Sequence, residues 1–418
     1  MVVRTLLGLC FYVLFFSNVD VYAGFFQVLG LLLFALAAFI TIFTTKFSLG
    51  DISAIEGLLY VMVLQSFLAS LFGANETALI YTAVFGVAFL SASVLARTVP
   101  IATLLGAISA AYLAIQITIL VTDLESYSRS LAGEVTAASG LLRYRAFGLH
   151  PNLMGFVFGG GAIIAYWRSR IASSKIRMLF LASSALSFSL AWAASSRAAL
   201  LALAFCILLQ ILALVMRRAT NFILGLVLAF TTILSTLAIV AFYPGQQLTG
   251  YAERMLDLGD PQRGLGSGAT GRTSAWAQSL IEVERRDLAS AMLGTGFRSS
   301  SPEYIGYSTE SSYFTILLEN GTLLGIAFIS LTVLRTAKFL YIGYRQNNAV
   351  ALTLGYILLY ALAQSVFNRY LLAAGNPYSL FLLLCFVIPA KLARGPASFE
   401  WTLKRSVKNN GWPYAPSG

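Results

Sequence analysis

The strongest constraint on this chain is a set of apolar runs, each about 17 to 24 residues long, separated by short polar breaks. That is the length a helix needs to cross roughly 30 Å of hydrocarbon at about 1.5 Å per residue. Runs such as Phe25 to Phe43 are apolar on every face. The period-two alternation of a porin-type strand is therefore absent, and the walls are predicted to be helices. Composition agrees, with 58% hydrophobic and 11% charged residues in 418 and a mean hydropathy of +0.79. These values exclude a soluble enzyme, a secreted module and a single-pass receptor. The expected fold class is all-α, a polytopic membrane helix bundle forming one transmembrane domain over residues 1–418.

Apolar windows place about twelve spans: Thr5–Ser17, Gly24–Phe43, Gly57–Phe72, Leu79–Ala96, Val99–Val121, Asn152–Trp167, Met178–Ala194, Ala198–Met216, Phe222–Tyr243, Tyr313–Leu334, Ala349–Phe367 and Tyr378–Pro389. The stretch after Arg4 has no convincing small-residue cleavage site before Asp20, so it is expected to be the first span and not a removed signal. Cys10, Cys206 and Cys385 each lie inside an apolar run and imply neither disulfide nor zinc.

The net charge of +11 is explained by placement. With both termini inside, all six lysines fall on the cytoplasmic side, as the positive-inside bias predicts, and no nucleic-acid partner is implied. The outer segments carry eleven cations, every one an arginine, including Arg143, Arg145, Arg197, Arg272, Arg298 and Arg369. Guanidinium binds phosphate through a planar fork, whereas lysine would serve generic solubility, so some of these arginines are expected to recognise phosphate and others to pair with outer acids. Two outer loops are long enough to hold structure: residues 122–151, and residues 244–312 between the ninth and tenth spans. In the larger, Gln246–Leu258 and Thr273–Arg286 are amphipathic, with Trp276, Leu280 and Val283 expected on one face. Residues 394–418 are expected to be a polar cytoplasmic tail.

Three places concentrate chemistry. Ser195-Ser196-Arg197 joins two spans so tightly that Arg197 must open a helix at the outer face, where free N–H groups and the dipole favour an anion. The alternative is an interfacial arginine snorkelling to headgroups. Gly266, Gly268 and Gly271 match GxGxxG literally, but no strand precedes them, so a dinucleotide site is not implied. Either they hinge a mobile anion clamp whose helix starts at Arg272, or they form a linker before an ordinary surface helix. Glu310, just before the tenth span, is placed to act as a general base or to accept a hydrogen bond from a sugar hydroxyl. Glu319 lies deeper, where a carboxylate needs a partner, and is expected to belong to a polar network. His150, before Pro151, suits a helix cap, and Gly155 with Gly159 to Gly161 suits close helix packing.

The ordered set Arg143-Tyr144-Arg145-Ala146-Phe147-Gly148 with His150-Pro151-Asn152, Ser196-Arg197-Ala198-Ala199-Leu200, Gly271-Arg272 with Trp276, Leu293-Gly294-Thr295-Gly296-Phe297, and Tyr313, Leu317, Glu319 and Gly321 resembles the bacterial O-antigen ligase and polymerase superfamily. The resemblance covers most of the chain. It implies a polyprenyl-diphosphate-linked glycan donor, a glycan acceptor, and transfer in the periplasm with inversion and without a metal or other cofactor. It also implies that Arg197 and Arg272 hold the diphosphate. Ligases of this superfamily carry histidine and asparagine where this chain has Glu310 and Ser311, which favours a polymerase of O-antigen, capsule or exopolysaccharide, with Glu310 in the base role. Arg143, Arg145, His150, Arg298 and Tyr313 are the expected substrate contacts, the Tyr313 ring stacking on a sugar. The implied location is the bacterial inner membrane, with membrane lipid and chain-length or export proteins as partners. A ligase, a lipid-linked glycan flippase, a secondary transporter, or a non-catalytic export partner are the alternatives. A transporter would be expected to show repeated halves and midplane charge, whereas charge here gathers at the outer face.

Overall fold

A computed structural model of the chain describes residues 2–18, 23–44, 52–73, 75–131, 135–136, 140–141, 143–217 and 268–389. The expected span Phe222–Tyr243, the amphipathic stretch Gln246–Leu258, the glycines before Gly268 and the tail 394–418 lie outside the described residues.

The described residues form α1 (Val2–Phe15), α2 (Ala23–Thr44), α3 (Ala54–Phe72), α4 (Glu76–Thr98), α5 (Ile101–Thr122), α6 (Leu124–Leu131), α7 (Pro151–Ile171), α8 (Ser174–Ala193) and α9 (Arg197–Arg217). After the gap come α10 (Gly268–Arg285), α11 (Leu288–Leu293), α12 (Pro302–Ile305), α13 (Ser312–Gln346), α14 (Ala349–Ser365) and α15 (Pro377–Val387). A two-residue antiparallel ladder, Val135–Thr136 against Gly140–Leu141, lies between α6 and α7. Helix starts are written locally: Asn75, Asn348 and Asn376 accept backbone N–H groups of the turns they cap, and Pro151 and Pro377 occupy first turns.

The protein is a multi-pass helical membrane protein. Gly24–Thr44, Ala54–Phe72, Glu76–Thr98, Ile101–Thr122, Ile176–Ala193 and Ser312–Gln346 are long and apolar enough to cross a membrane, and Val2–Phe15, Arg197–Ala213, Ala349–Ser365 and Pro377–Val387 are shorter apolar helices. On α2, Phe25, Val28, Leu32, Leu36, Phe39 and Phe43 are all exposed at steps of three and four residues. Such a stripe is tolerable only against lipid or another apolar surface.

The expected span Asn152–Trp167 corresponds to α7 but is not among those ten apolar helices. Its glycines, Asn152, Arg168 and Arg170 lower its hydropathy, and it does not need lipid-grade apolarity because it sits in the middle of the bundle. It packs against α5, α8, α9, α14 and α15. A Cβ built at Gly159 would lie 2.0 Å from the Tyr360 hydroxyl oxygen, one at Gly160 would lie 2.3 Å from Tyr378 Cε2, and one at Gly161 would lie 2.5 Å from Tyr112 Cε1. Each glycine therefore receives one tyrosine, and each tyrosine hydroxyl finds a backbone carbonyl, at Gly155, Ile357 and Val157 respectively. α15 is short for a span, yet every residue in it is buried, because it too is interior.

Opposite ends of the bundle differ in chemistry. At one, Arg97 donates both Nη atoms to the Glu56 carboxylate at 2.6 Å, and Arg335 reaches the Cys385 carbonyl at 2.9 Å. At the other lie the described connector residues 123–131 and 143–150, with 194–196, 286–311 and 366–376. This end is called the loop end below.

Candidate functional site

Glu310 is positioned from both sides by small buried hydroxyls. Thr309, Ser311 and Ser312 are each no more than 2% exposed. Ser311 Oγ donates to the Ser365 carbonyl at 3.1 Å, Ser312 N and Oγ both donate to the Asn368 carbonyl, and the Thr309 and Thr315 hydroxyls meet at 2.7 Å. With its neighbours anchored to the end of α14, Glu310 is left in the left-handed region at φ 51° with its side chain 42% exposed. Its Oε2 lies 4.0 Å from Arg272 Nε, an ion pair but too long for a hydrogen bond, which leaves the carboxylate oxygens accessible to a substrate hydroxyl.

Arg272 lies on α10. The helix begins at Gly268, so Arg272 sits one turn inside it and not at its first residue as expected. Gly268 and Gly271 are thus helical, and the anchoring comes from elsewhere. Trp276 stacks on Phe314 at 6.1 Å between ring centroids and lies against Phe367 at 6.3 Å, while the Arg272 guanidinium lies over the Phe367 ring at 6.0 Å. The inward face of α10 is Arg272, Trp276, Ser279 and Val283, and Arg286, just past the helix end, donates to the Leu318 carbonyl. Leu280, expected on that face, is 52% exposed, because the face is centred nearer Ser279 and Leu280 is rotated off it. Burial pushes the Arg272 pKa down and Glu310 pushes it back up. A guanidinium stays cationic under both influences.

His150 caps α7, its Nδ1 accepting Asn152 N at 3.3 Å. The imidazole keeps an exposed edge, yet its pKa is lowered from 6.5, first by partial burial and then by Arg143, with Arg145 and Arg272 adding and Glu310 opposing. His150 is thus within electrostatic reach of four expected site residues at once. Arg143 donates to the Ala194 carbonyl at 3.3 Å and to Asn152 Oδ1 at 3.2 Å, and Tyr144 N donates to the Ala193 carbonyl at 2.9 Å. Burial pushes the Tyr144 phenol up, so it stays protonated and donates to Asp123 at 2.9 Å. These bonds pin the 143–149 segment to the 194–196 connector. Arg197 opens α9 directly after that connector, as expected, and is half-buried. Ser196 sits so close to α7 that a Cβ at Gly155 would lie 2.3 Å from its own, so the starts of α7 and α9 are side by side.

Glu319 joins a second polar group. Its Oε1 accepts Arg298 N at 2.9 Å and Ser300 Oγ at 2.7 Å, and its carbonyl accepts Gly296 N at 2.8 Å. α13 is broken here, with Gly321 at φ 74°, and the 292–300 segment fills the break: a Cβ on Gly321 would lie 2.2 Å from the Met292 carbonyl oxygen. Glu319, Arg298 and Arg369 line a cavity of about 310 Å³ with Tyr81, Gln27 and Asn376. Tyr313 is not among the lining residues; its hydroxyl donates to the Leu362 carbonyl at 2.6 Å and ties α13 to α14.

Among the described residues, five that are not glycine have positive φ: Phe147, Ser195, Arg298, Glu310 and Asn347. Asn347 is a helix C-cap, where asparagine adopts this conformation readily. The other four flank or are expected site residues, all at the loop end. Such backbone costs of order 1–3 kcal/mol per residue and persists where surrounding structure over-determines it, which happens preferentially at functional sites. Sequence inspection missed this clustering, and it also missed Tyr81, Gln27, Asn376 and Phe367. Arg369 carried a usable signal, since Asn368-Arg369-Tyr370 interrupts two apolar runs.

No protein-family model matches the chain, and no curated protein matches it.

Proposed function

We propose that the chain is a glycosyltransferase that polymerises polyprenyl-diphosphate-linked oligosaccharide repeats, with the loop end facing the periplasm of a bacterium, both termini cytoplasmic and the bundle in the inner membrane. The observation that carries the proposal is the Arg272–Glu310 pair, with Glu310 on left-handed backbone and His150, at the start of α7, within electrostatic reach of the pair and of Arg143 and Arg145; the start of α9, with Arg197, lies beside that of α7. It combines an exposed carboxylate with an excess of guanidinium, which is what displacement of a diphosphate by a hydroxyl requires.

In the proposed step the acceptor hydroxyl gives its proton to Glu310 as its oxygen attacks the anomeric carbon from the face opposite the diphosphate. The new C–O bond forms, the bond to the diphosphate oxygen breaks, and the configuration inverts. Arg272 and Arg197 stabilise the charge gathering on the departing diphosphate, and guanidiniums already held in place do this with little reorganisation. Arg143, Arg145 and His150 widen the cationic rim, and Arg298 contributes from the adjacent cavity. General base action commonly contributes roughly 10²- to 10⁴-fold in rate.

The test is elongation of a polyprenyl-diphosphate oligosaccharide by purified protein in lipid. Wild-type protein is expected to make longer glycans, Glu310→Gln to retain donor binding while nearly stopping transfer, and Arg272→Ala to lose both. Translocation of the donor without any new glycosidic bond would favour the flippase alternative and refute the proposal. Wild-type rates in Glu310→Gln would remove Glu310 from the base role. Transfer to a lipid A core acceptor in place of a second repeat would make the protein a ligase.

A further inference from the structure

The cavity beside Glu319 is built more heavily than a packing defect. It is bounded by α13 (Ser312, Thr315, Glu319), the 298–301 segment, Tyr81 of α4 and the 369–376 connector. At about 310 Å³ it lies at the lower end of the roughly 300–1,000 Å³ of small-ligand sites, which suits one or two sugar rings. Two exposed guanidiniums, Arg298 and Arg369, border it. The Arg298 guanidinium lies over the Tyr81 ring at 5.3 Å. Arg298 stands at φ 68°, held there by the bond from its own N–H to Glu319. The clamp on Glu319 thus uses the backbone of Arg298 and the hydroxyl of Ser300.

We propose that this cavity binds an acidic sugar, a pyranose carrying a carboxylate, with Arg298 and Arg369 meeting the charge and the Gln27 and Asn376 amides meeting hydroxyls. The word sugar rests on the transferase assignment; the anion preference rests on the cavity itself. Two guanidiniums against one carboxylate leave a surplus of at least one positive charge, which matches a monoanion. The Arg272 cluster, where Arg272, Arg143, Arg145 and a single Glu310 all act on His150, has the larger surplus that a diphosphate needs. A neutral sugar would leave the positive surplus of the cavity unmatched. A carboxylate offers the planar pair of acceptors that a guanidinium fork engages.

The experiment is saturation-transfer NMR on the full chain in lipid nanodiscs with methyl β-glucuronide, methyl β-glucoside and inorganic pyrophosphate as probes. The glucuronide is expected to bind at least about tenfold more tightly than the glucoside, a ratio equivalent to one charge-assisted hydrogen bond. The double variant Arg298→Gln with Arg369→Gln should lose that preference while its melting curve stays unchanged, both side chains being exposed. Equal affinity for glucuronide and glucoside would overturn the proposal, as would an unchanged preference in the double variant. Displacement of the glucuronide by pyrophosphate in Arg272→Gln protein would reassign the cavity to the diphosphate and overturn it too. Because binding is read without transfer, glucuronide binding in a protein that makes no polymer would refute the transferase assignment and leave the cavity assignment standing.

Discussion

Replacing Glu319 with alanine removes the carboxylate that accepts two donors of the 294–300 segment and helps to close it onto α13. Two donors, Arg298 N at 2.9 Å and Ser300 Oγ at 2.7 Å, then lose their partner, and Ser300 is only 3% exposed. A buried donor left unsatisfied costs about 1–3 kcal/mol. Both bonds end on the same oxygen, and the Ser300 hydroxyl can rotate, so the sum is taken near the low end, about 2–4 kcal/mol. The backbone bond from Gly296 N to the Glu319 carbonyl survives the substitution, so the segment should loosen locally while the helix remains. At about 1.4 kcal/mol per tenfold, the expected readout is hydrogen exchange roughly 30- to 1,000-fold faster over residues 296–301, with residues 313–317 little changed. Glu319→Gln keeps an oxygen in place and loses only the charge-assisted part of the bonds, so its acceleration should be about tenfold or less. Exchange at the wild-type rate over 296–301 in Glu319→Ala would show that the carboxylate does not hold this segment, and the account of how Arg298 is aimed would fall with it.

Three other outcomes are expected. Gly160→Ala should destabilise the protein by about 1–3 kcal/mol in a denaturant titration, because the new Cβ meets the rigid, fully buried Tyr378 ring at 2.3 Å; Gly24→Ala, with nothing within 4 Å, should be neutral, and equal behaviour of the two would refute the packing argument. His150 has a folded pKa below its unfolded value, so its protonation opposes folding, and any contribution it makes to stability is lost as pH falls from about 6.5 through the lowered value. Below that value the imidazolium adds a cation beside Arg272, so pyrophosphate binding should strengthen on acidification and His150→Gln should flatten that rise; an identical pH profile in His150→Gln would exclude His150 from the site. A reporter active only outside the cytoplasm should be active when fused at Gly268 and inactive at Ser173, and the reverse pattern would invert the topology on which the donor assignment depends.

The helical membrane class, most helix boundaries and the position of Arg197 at a helix start were legible in the order of residues, because hydropathy, capping and turn chemistry are local. A run of about twenty apolar residues states its own environment, and Ser195-Ser196-Arg197 between two such runs leaves the arginine nowhere else to sit. Whether a helix faces lipid or lies inside the bundle is not local. α7 and α15 read from sequence as ordinary spans, yet they are the interior pair, one accepting tyrosines on its glycines and the other buried at every residue. The pairing of Arg272 with Glu310 depends on α10 docking through Trp276 between Phe314 and Phe367, a contact with no periodic signature. The same holds for Glu319, expected in a polar network but without a nameable partner until the break at Gly321 brings the 294–300 segment against it. Charge placed along the chain predicts which end of the bundle is cationic. Which cations share a cavity is decided by the packing of α4, α13 and the 369–376 connector, because electrostatic reach is a few ångströms in space and these residues come from opposite ends of the chain.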